Sequence, residues 1–292
     1  RLNFEIPSSC FKRGIYRNLN FRKSYMSSNS KCFNDHHDLN KLSKLYKEAH
    51  PYPHLALDNL LIPQKALKAS EAFLDLDLSY WKPYQNPLEK RFICSDMELI
   101  PDPVKEILEG LNSKPFLKML EKITGINSLI ADPTLHTAGM HLAEQGGKID
   151  VHLDYNIHPK LNLRRCLNLI VFLSQDWQEE WGGQLELWDA KMEKCVKQIM
   201  PVFNRAIIFN TSEISYHGQP EPVMCPEGET RKTLAVWYHC KITEQTKERY
   251  RGLFVKRPKD ADDAFVDKVR ELRADPKRAK EVYVIDDKQH DL

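Results

Sequence analysis

The chain has 292 residues, of which 41% are hydrophobic, 10% aromatic and 29% charged. This is long enough for one large domain or two small ones, and the charged fraction, with no run of about 18 apolar residues, excludes a membrane-embedded protein. A formal net charge of +2 argues against a dedicated nucleic-acid binder, which concentrates basic surface.

Residues 1–49 hold ten Lys/Arg against four Asp/Glu and are rich in Ser and Asn, so they are expected to form a basic polar extension, disordered in part. The first methionine is Met26. The expectation is that it lies near the true start and that residues 1–25 come from an over-extended reading frame; an Arg- and Ser-rich targeting peptide is the rival reading. Seven widely spaced cysteines without a C-x-x-C pair suggest neither a disulfide framework nor a thiolate zinc site. They point to a reducing, cytoplasmic setting.

Folded character is expected from about Tyr52. His54–Asp58 has strand character, and Pro63 opens a helical stretch to about Leu74. Pro103 sits in a first-turn position ahead of Val104, Ile107 and Leu108, and Phe116, Leu117, Leu120 and Ile123 repeat the helical spacing up to a stop at Gly125. From Leu129 the texture changes to short β-branched and aromatic runs at 136–142, 148–154, 164–174, 184–189, 194–199, 204–210 and 231–242. Such a series without intervening helices predicts a sandwich or barrel, mainly β, with helices packed from the N-terminal side. A linker and an amphipathic helix carrying Phe265, Val269 and Leu272 close the chain. The division is therefore 1–49 extension, 50–245 main domain and 246–292 linker with C-terminal helix.

Val151-His152-Leu153-Asp154 carries the chemistry. Residues two apart in a strand share a face with Cα atoms roughly 6.6 Å apart, so His152 and Asp154 are placed to grip one cation. His217 is the candidate third ligand. Two histidines and a carboxylate on one face of an ion form the facial triad of non-haem Fe(II), which leaves three positions open. With 11 histidines, about one H-x-D triplet arises by chance. His36-His37-Asp38 is such a control, lying in the polar extension and read as solvated. Arg231 and Thr233 share a face at the head of a strand, and a guanidinium fork beside a hydroxyl is a carboxylate receptor.

His152-x-Asp154, His217 and Arg231-x-Thr233 together resemble the Fe(II)/2-oxoglutarate-dependent dioxygenase superfamily, in particular its prolyl-4-hydroxylase-like branch. Asp132-Pro133, Arg164–Leu173 and Trp181–Leu187 are similar to further stretches of that branch. The resemblance implies a double-stranded β-helix (jelly roll) with N-terminal helices packed on one sheet. It implies His152, Asp154 and His217 as iron ligands, and Arg231 with Thr233 as partners of the distal carboxylate of 2-oxoglutarate. The cofactors implied are Fe(II), 2-oxoglutarate and O2, with ascorbate a further candidate. The activity implied is hydroxylation of a C–H bond, of a prolyl residue or a related small molecule, with release of succinate and CO2.

Three departures stand out. The interval from His217 to Arg231 is longer than the family's usual one, Lys232 is a rival for the carboxylate, and a frequent tyrosine is replaced by His141. His141 and Asn168 are kept as candidate co-substrate contacts, and Tyr155 as a pocket residue. A non-catalytic metal-binding jelly roll and a cupin-type metalloenzyme are the alternative readings. The partner expected is a small-molecule or peptidyl substrate, with neither membrane nor nucleic acid, and the sequence leaves the oligomeric state open.

Overall fold

The computed structural model describes residues 32–34, 36–74 and 76–285. The expectation concerning Met26 and the residues before it lies outside them.

Order begins earlier than the composition suggested. Helix α1 (Leu39–Glu48) is capped by Asp38, whose side chain accepts from the amides of Asn40 and Lys41. Leu42 and Tyr46 are buried in the main core. The described part of the 1–49 segment is therefore folded. Its few apolar residues fall on one helical face, while the lysines between them set the composition. The control triplet at 36–38 thus ends in a helix cap.

Strand β1 (His54–Leu57) and helix α2 (Pro63–Ala72) follow. Next come a hairpin of β2 (Lys82–Asn86) and β3 (Glu89–Cys94), then helices α3 (Asp102–Leu111) and α4 (Lys114–Thr124). The helices sit where proline starts and apolar spacing place them, and Gly125 ends α4 at φ 75°. The β2–β3 hairpin escaped sequence reading because its charged and polar residues outnumber its apolar ones.

The remaining strands are β4 (Ile130–Ala131), β5 (Gly139–Ala143), β6 (Lys148–Leu153), β7 (Leu163–Phe172), β8 (Leu185–Trp188), β9 (Cys195–Ile199), β10 (Ala206–Asn210), β11 (His217–Gln219), β12 (Arg231–Lys241) and β13 (Leu253–Phe254), with helix α5 (Ala264–Ala274) after them. They pair antiparallel in the order β1-β10-β7-β12-β5-β3-β6-β11-β8-β9. This is a nearly closed barrel with the helices against one side, the jelly roll expected. β3 bridges its two halves: Phe92–Cys94 pair with β5, and Glu89 and Lys90 pair with β6.

Period-two alternation divides the side chains. Leu167, Leu169, Val171, Leu234, Val236 and Tyr238 join the helices in the main core. On the opposite faces, Phe172, Ile207 and Phe209 fill a second cluster, and Arg231, Thr233, Ala235 and Trp237 line an inner cavity. Cys166 on β7 and Cys240 on β12 are bonded to each other, with Cα atoms 6.2 Å apart, which corrects the expectation of no disulfide. No helix among the described residues is long and apolar enough to cross a membrane.

The C-terminal segment, expected as a linker and a helix, also contributes a strand. β13 pairs with β6, setting Phe254 opposite His152. α5 buries Val269 and Leu272 against Leu88 and Phe254.

Candidate functional site

His152 and His217 stand directly opposite each other on β6 and β11, with ring centroids 4.6 Å apart. Gly218 permits this approach, since a Cβ there would come within 2.9 Å of the Val151 backbone. Asp154, just beyond β6, points to the same face. His152 Nε2 is 3.6 Å from Asp154 Oδ1, and His217 Nε2 is 3.5 Å from Oδ2. One ligand atom from each of the three residues lies within 4.8 Å of the others.

The tautomers are set by the backbone. His152 Nδ1 donates to Asp150 O at 2.8 Å and His217 Nδ1 donates to Ser215 O at 2.9 Å, so each Nε2 presents its lone pair to the space between the three residues. Phe254 stacks on His152 at 5.1 Å, and Phe209 meets His217 edge-on at 4.6 Å. Burial pushes His217 down to about 4, which keeps it a neutral nitrogen donor. Two oriented imidazoles and one carboxylate fit a first-row divalent metal such as Fe(II).

Asp154 is itself held. Its Oδ2 accepts from Arg165 Nη2 at 2.9 Å and from Asn168 Nδ2 at 2.7 Å, while Arg165 Nε donates to Asn168 Oδ1 at 2.7 Å. Burial opposes ionisation of Asp154, but Arg165, followed by His217 and His152, holds its carboxyl well below the usual range. The Arg165 guanidinium lies over the Trp237 ring at 3.7 Å and near Tyr155 at 5.0 Å.

Asn168 is therefore placed differently from the sequence expectation. It orients the Asp154 carboxylate and is not among the residues lining the cavity. Arg165 was missed altogether. The signal available was a cation inside an otherwise apolar strand, where its burial needs a buried anion.

Arg231 and Thr233 enter the inner cavity, of about 170 Å³, with His152, Asp154 and His217. Arg231 Nε donates to Gly183 O at 2.8 Å, and its guanidinium lies 5.0 Å from the Phe172 ring centroid. A Cβ on Gly183 would come within 2.9 Å of Arg231 Cδ, so only glycine leaves room for this stem. Burial, with Arg91 nearby, lowers Arg231 to about 10. Among the described residues it forms no ion pair. Lys232 is not part of the cavity lining, as expected from alternation.

His141 faces Thr233 across β5 and β12 and lines the cavity. Its Nε2 donates to Thr137 O at 3.1 Å, and its Nδ1 lies 3.4 Å from Arg91 Nη1. Burial, then Arg91, lowers it to about 3, so it is a neutral acceptor. Tyr155 also lines the cavity, its hydroxyl donating to His136 O at 3.0 Å. The sequence pointed to none of Tyr84, Arg91, Phe254, Arg273 or Tyr283, which complete the wall. They come from the overlooked hairpin and from the segment read as a linker and C-terminal helix.

Residues 137–239 match the family model described as the 2OG-Fe(II) oxygenase superfamily. The match runs from just before β5 into β12. Over 193 residues the chain is 25% identical to the mouse (Mus musculus) prolyl 3-hydroxylase OGFOD1, a match covering 65% of this chain and 33% of the relative. The chain thus spans about a third of the length of that curated relative. Among solved structures, it is similar to the prolyl hydroxylase from Trichoplax adhaerens in complex with a hypoxia inducible factor peptide fragment. There the identity is 17%, the coverage 69% of this chain and 88% of that one, and the TM-score 0.51. A Pseudomonas putida prolyl-4-hydroxylase matches at 16% identity over 69% of this chain and all of that one, with a TM-score of 0.49. The Trichoplax likeness agrees with the jelly-roll fold described above.

Proposed function

We propose that the protein is an Fe(II)- and 2-oxoglutarate-dependent dioxygenase that hydroxylates a C–H bond, of a prolyl residue or a related small molecule, with release of succinate and CO2. The observation that carries this reading is the single cavity shared by the His152–Asp154–His217 triad and the carboxylate-free Arg231. A metal site alone would suit many chemistries; a buried cation beside it calls for an anionic co-substrate. The name of the mouse relative, a prolyl 3-hydroxylase, supports a prolyl substrate.

His152, Asp154 and His217 would hold the iron, and Arg231 with Thr233 would bind the far carboxylate of 2-oxoglutarate. When bound, iron and co-substrate together supply the oxidising chemistry. The chain's own part is geometry and environment. Arg165 and Asn168 fix Asp154. The backbone carbonyls of Asp150 and Ser215 fix the imidazoles, and Phe254, Ile170 and Leu185 keep the chamber apolar between its charged groups. A reducing, cytoplasmic setting belongs to this proposal and is supported by the free thiols of Cys32, Cys94, Cys195 and Cys225; the Cys166–Cys240 pair is the exception it must accommodate.

The test is succinate release from 2-oxoglutarate, with Fe(II), O2 and ascorbate, across a panel of prolyl peptides, free amino acids and glycans. Substrate-stimulated succinate is expected from a prolyl peptide. A chain that binds metal and gives no succinate with any substrate would point instead to the non-catalytic module.

A further inference from the structure

The inner cavity opens into a wider groove of about 890 Å³. The two share walls at Tyr84, His136, Thr137, Arg251 and Tyr283. Cations reach this groove from four separate parts of the chain: Lys82 on β2, Lys160 before β7, Arg251 before β13, and Lys280 beyond α5. The acid in the same lining is Asp96, whose Oδ1 already accepts from the Glu98 amide at 3.0 Å. Among the described residues, none of the four cations has a carboxylate partner within 4.0 Å.

Two of these cations are held in place by neutral groups. Lys82 Nζ lies over the rings of Tyr84 at 5.2 Å and Tyr283 at 5.4 Å. Arg251 Nη1 donates to Tyr283 Oη at 3.0 Å and Nη2 to Pro276 O at 3.3 Å, while its Nε is buried with no partner. A guanidinium with a buried, unused donor and only neutral neighbours is costly. An arriving carboxylate would bond the remaining Nη hydrogens with charge assistance and offset the charge. Arg231, deeper in, likewise forms no ion pair among the described residues, and it stands where the co-substrate belongs. Arg251, at the junction of the two cavities, is left for the substrate.

We propose that the groove is a carboxylate subsite, and that the substrate is an extended peptide bearing an Asp or Glu side chain close in sequence to the residue that is oxidised. This rests on the dioxygenase reading of the inner cavity. An extended chain advances about 3.3 Å per residue, and Arg251 lines both cavities, so the acidic residue falls within about three positions of the reacting one. A peptide fits better than a nucleic acid. The inner chamber of about 170 Å³ is close to the ~150 Å³ that takes up one benzene, so the group that enters must be as small as a side chain.

The test is fluorescence anisotropy on the full chain, held anaerobically with Fe(II) and 2-oxoglutarate. The probes are fluorescein-labelled, C-terminally amidated twelve-residue peptides with a central proline and Glu at each nearby position. Their Gln counterparts, a Gln peptide with a free C-terminal carboxylate, and a single-stranded RNA 12-mer complete the set. The best Glu peptide is expected to bind at least tenfold tighter than its Gln counterpart. Arg251→Met should abolish that preference, and the exposed double variant Lys160→Glu/Lys280→Glu, which leaves the core untouched, should reduce it. Equal binding of Glu and Gln peptides, a preference that survives both variants, or tighter binding of the RNA overturns the proposal. So does a preference met only by the free chain end. A tenfold preference in a chain that releases no succinate upholds the subsite and rejects the dioxygenase reading. Succinate release with equal binding does the reverse.

Discussion

Arg165 Nη2 lies 2.9 Å from Asp154 Oδ2, so the carboxylate that would bind metal is already ion-paired to a fully buried guanidinium. Asn168 closes the ring by bonding both. With two donors on Oδ2, Asp154 is left to offer Oδ1 to a metal, which favours one-oxygen ligation and keeps further positions open. The pairing also offsets the carboxylate's charge, so a centre loaded with a divalent cation retains an excess of positive charge to attract a dianionic co-substrate.

Replacing Arg165 with Met is expected to leave Asp154 buried with its charge poorly compensated. Breaking such a pair from one side costs about 3–5 kcal/mol of stability, and disturbing a group that orients a ligand lowers metal affinity about 10–100-fold. Urea unfolding and calorimetric titration with Mn(II) check the two effects separately. Unchanged metal affinity would remove Arg165 from the site.

Arg231→Met should raise the 2-oxoglutarate KM by about 30-fold or more, since losing one partner of a buried charge pair costs about 2–5 kcal/mol. Lys232→Ala should change it by less than about twofold, as expected of a half-buried residue outside the cavity. Steady-state kinetics in 2-oxoglutarate distinguishes the two residues; the opposite ranking would give the carboxylate to Lys232.

The central strands, the four principal helices outside residues 1–49 and the His152–Asp154–His217 grouping were legible in the sequence, because proline starts, period-two alternation and the H-x-D spacing are local signals. What was not legible depends on contacts made across the fold. Asn168 looks like a polar strand residue until Arg165 and Asp154 close around it. The β2–β3 hairpin is hidden by Lys82, Gln85, Lys90 and Arg91, whose surroundings only the tertiary structure supplies. Arg251, Phe254 and Arg273 lie about 100 residues or more beyond His152 in the chain, and only the β13–β6 pairing and the packing of α5 bring them to the cavity wall.

Glu89 is completely buried, and both Arg91 and Arg273 bind it. Arg273 also lies 5.2 Å from the ring of Phe254, which stacks on His152. Arg273→Met should therefore destabilise the fold by about 3–5 kcal/mol and weaken Mn(II) binding as well. If urea unfolding shows a loss below about 1 kcal/mol, the level of an exposed ion pair, α5 is not integral to the site.

Acid should destabilise the protein early. Burial lowers both His141 and His239 to about 3, so the folded chain refuses protons that the unfolded chain takes up from about pH 6.5 downward. Each such histidine removes about 1.4 kcal/mol per pH unit as the pH falls below that point, continuing until the folded value is approached. Urea midpoints measured from pH 7 to pH 5 should fall accordingly. Among the described residues, His239 has no hydrogen-bond partner for either ring nitrogen, so His239→Phe should flatten the slope and add about 1 kcal/mol at pH 7. An unchanged slope in that variant would contradict the assignment.

His152, Asp154 and His217 are expected to share one metal ion beside a dicarboxylate receptor at Arg231. The decisive measurement is anaerobic calorimetric titration of the metal-free full chain with Fe(II), then with 2-oxoglutarate. One ion per chain is expected, with 2-oxoglutarate binding only once that ion is present, and both signals should disappear in Asp154→Ala. Metal binding that survives in Asp154→Ala and His217→Ala, or 2-oxoglutarate binding equally well without metal, would contradict it.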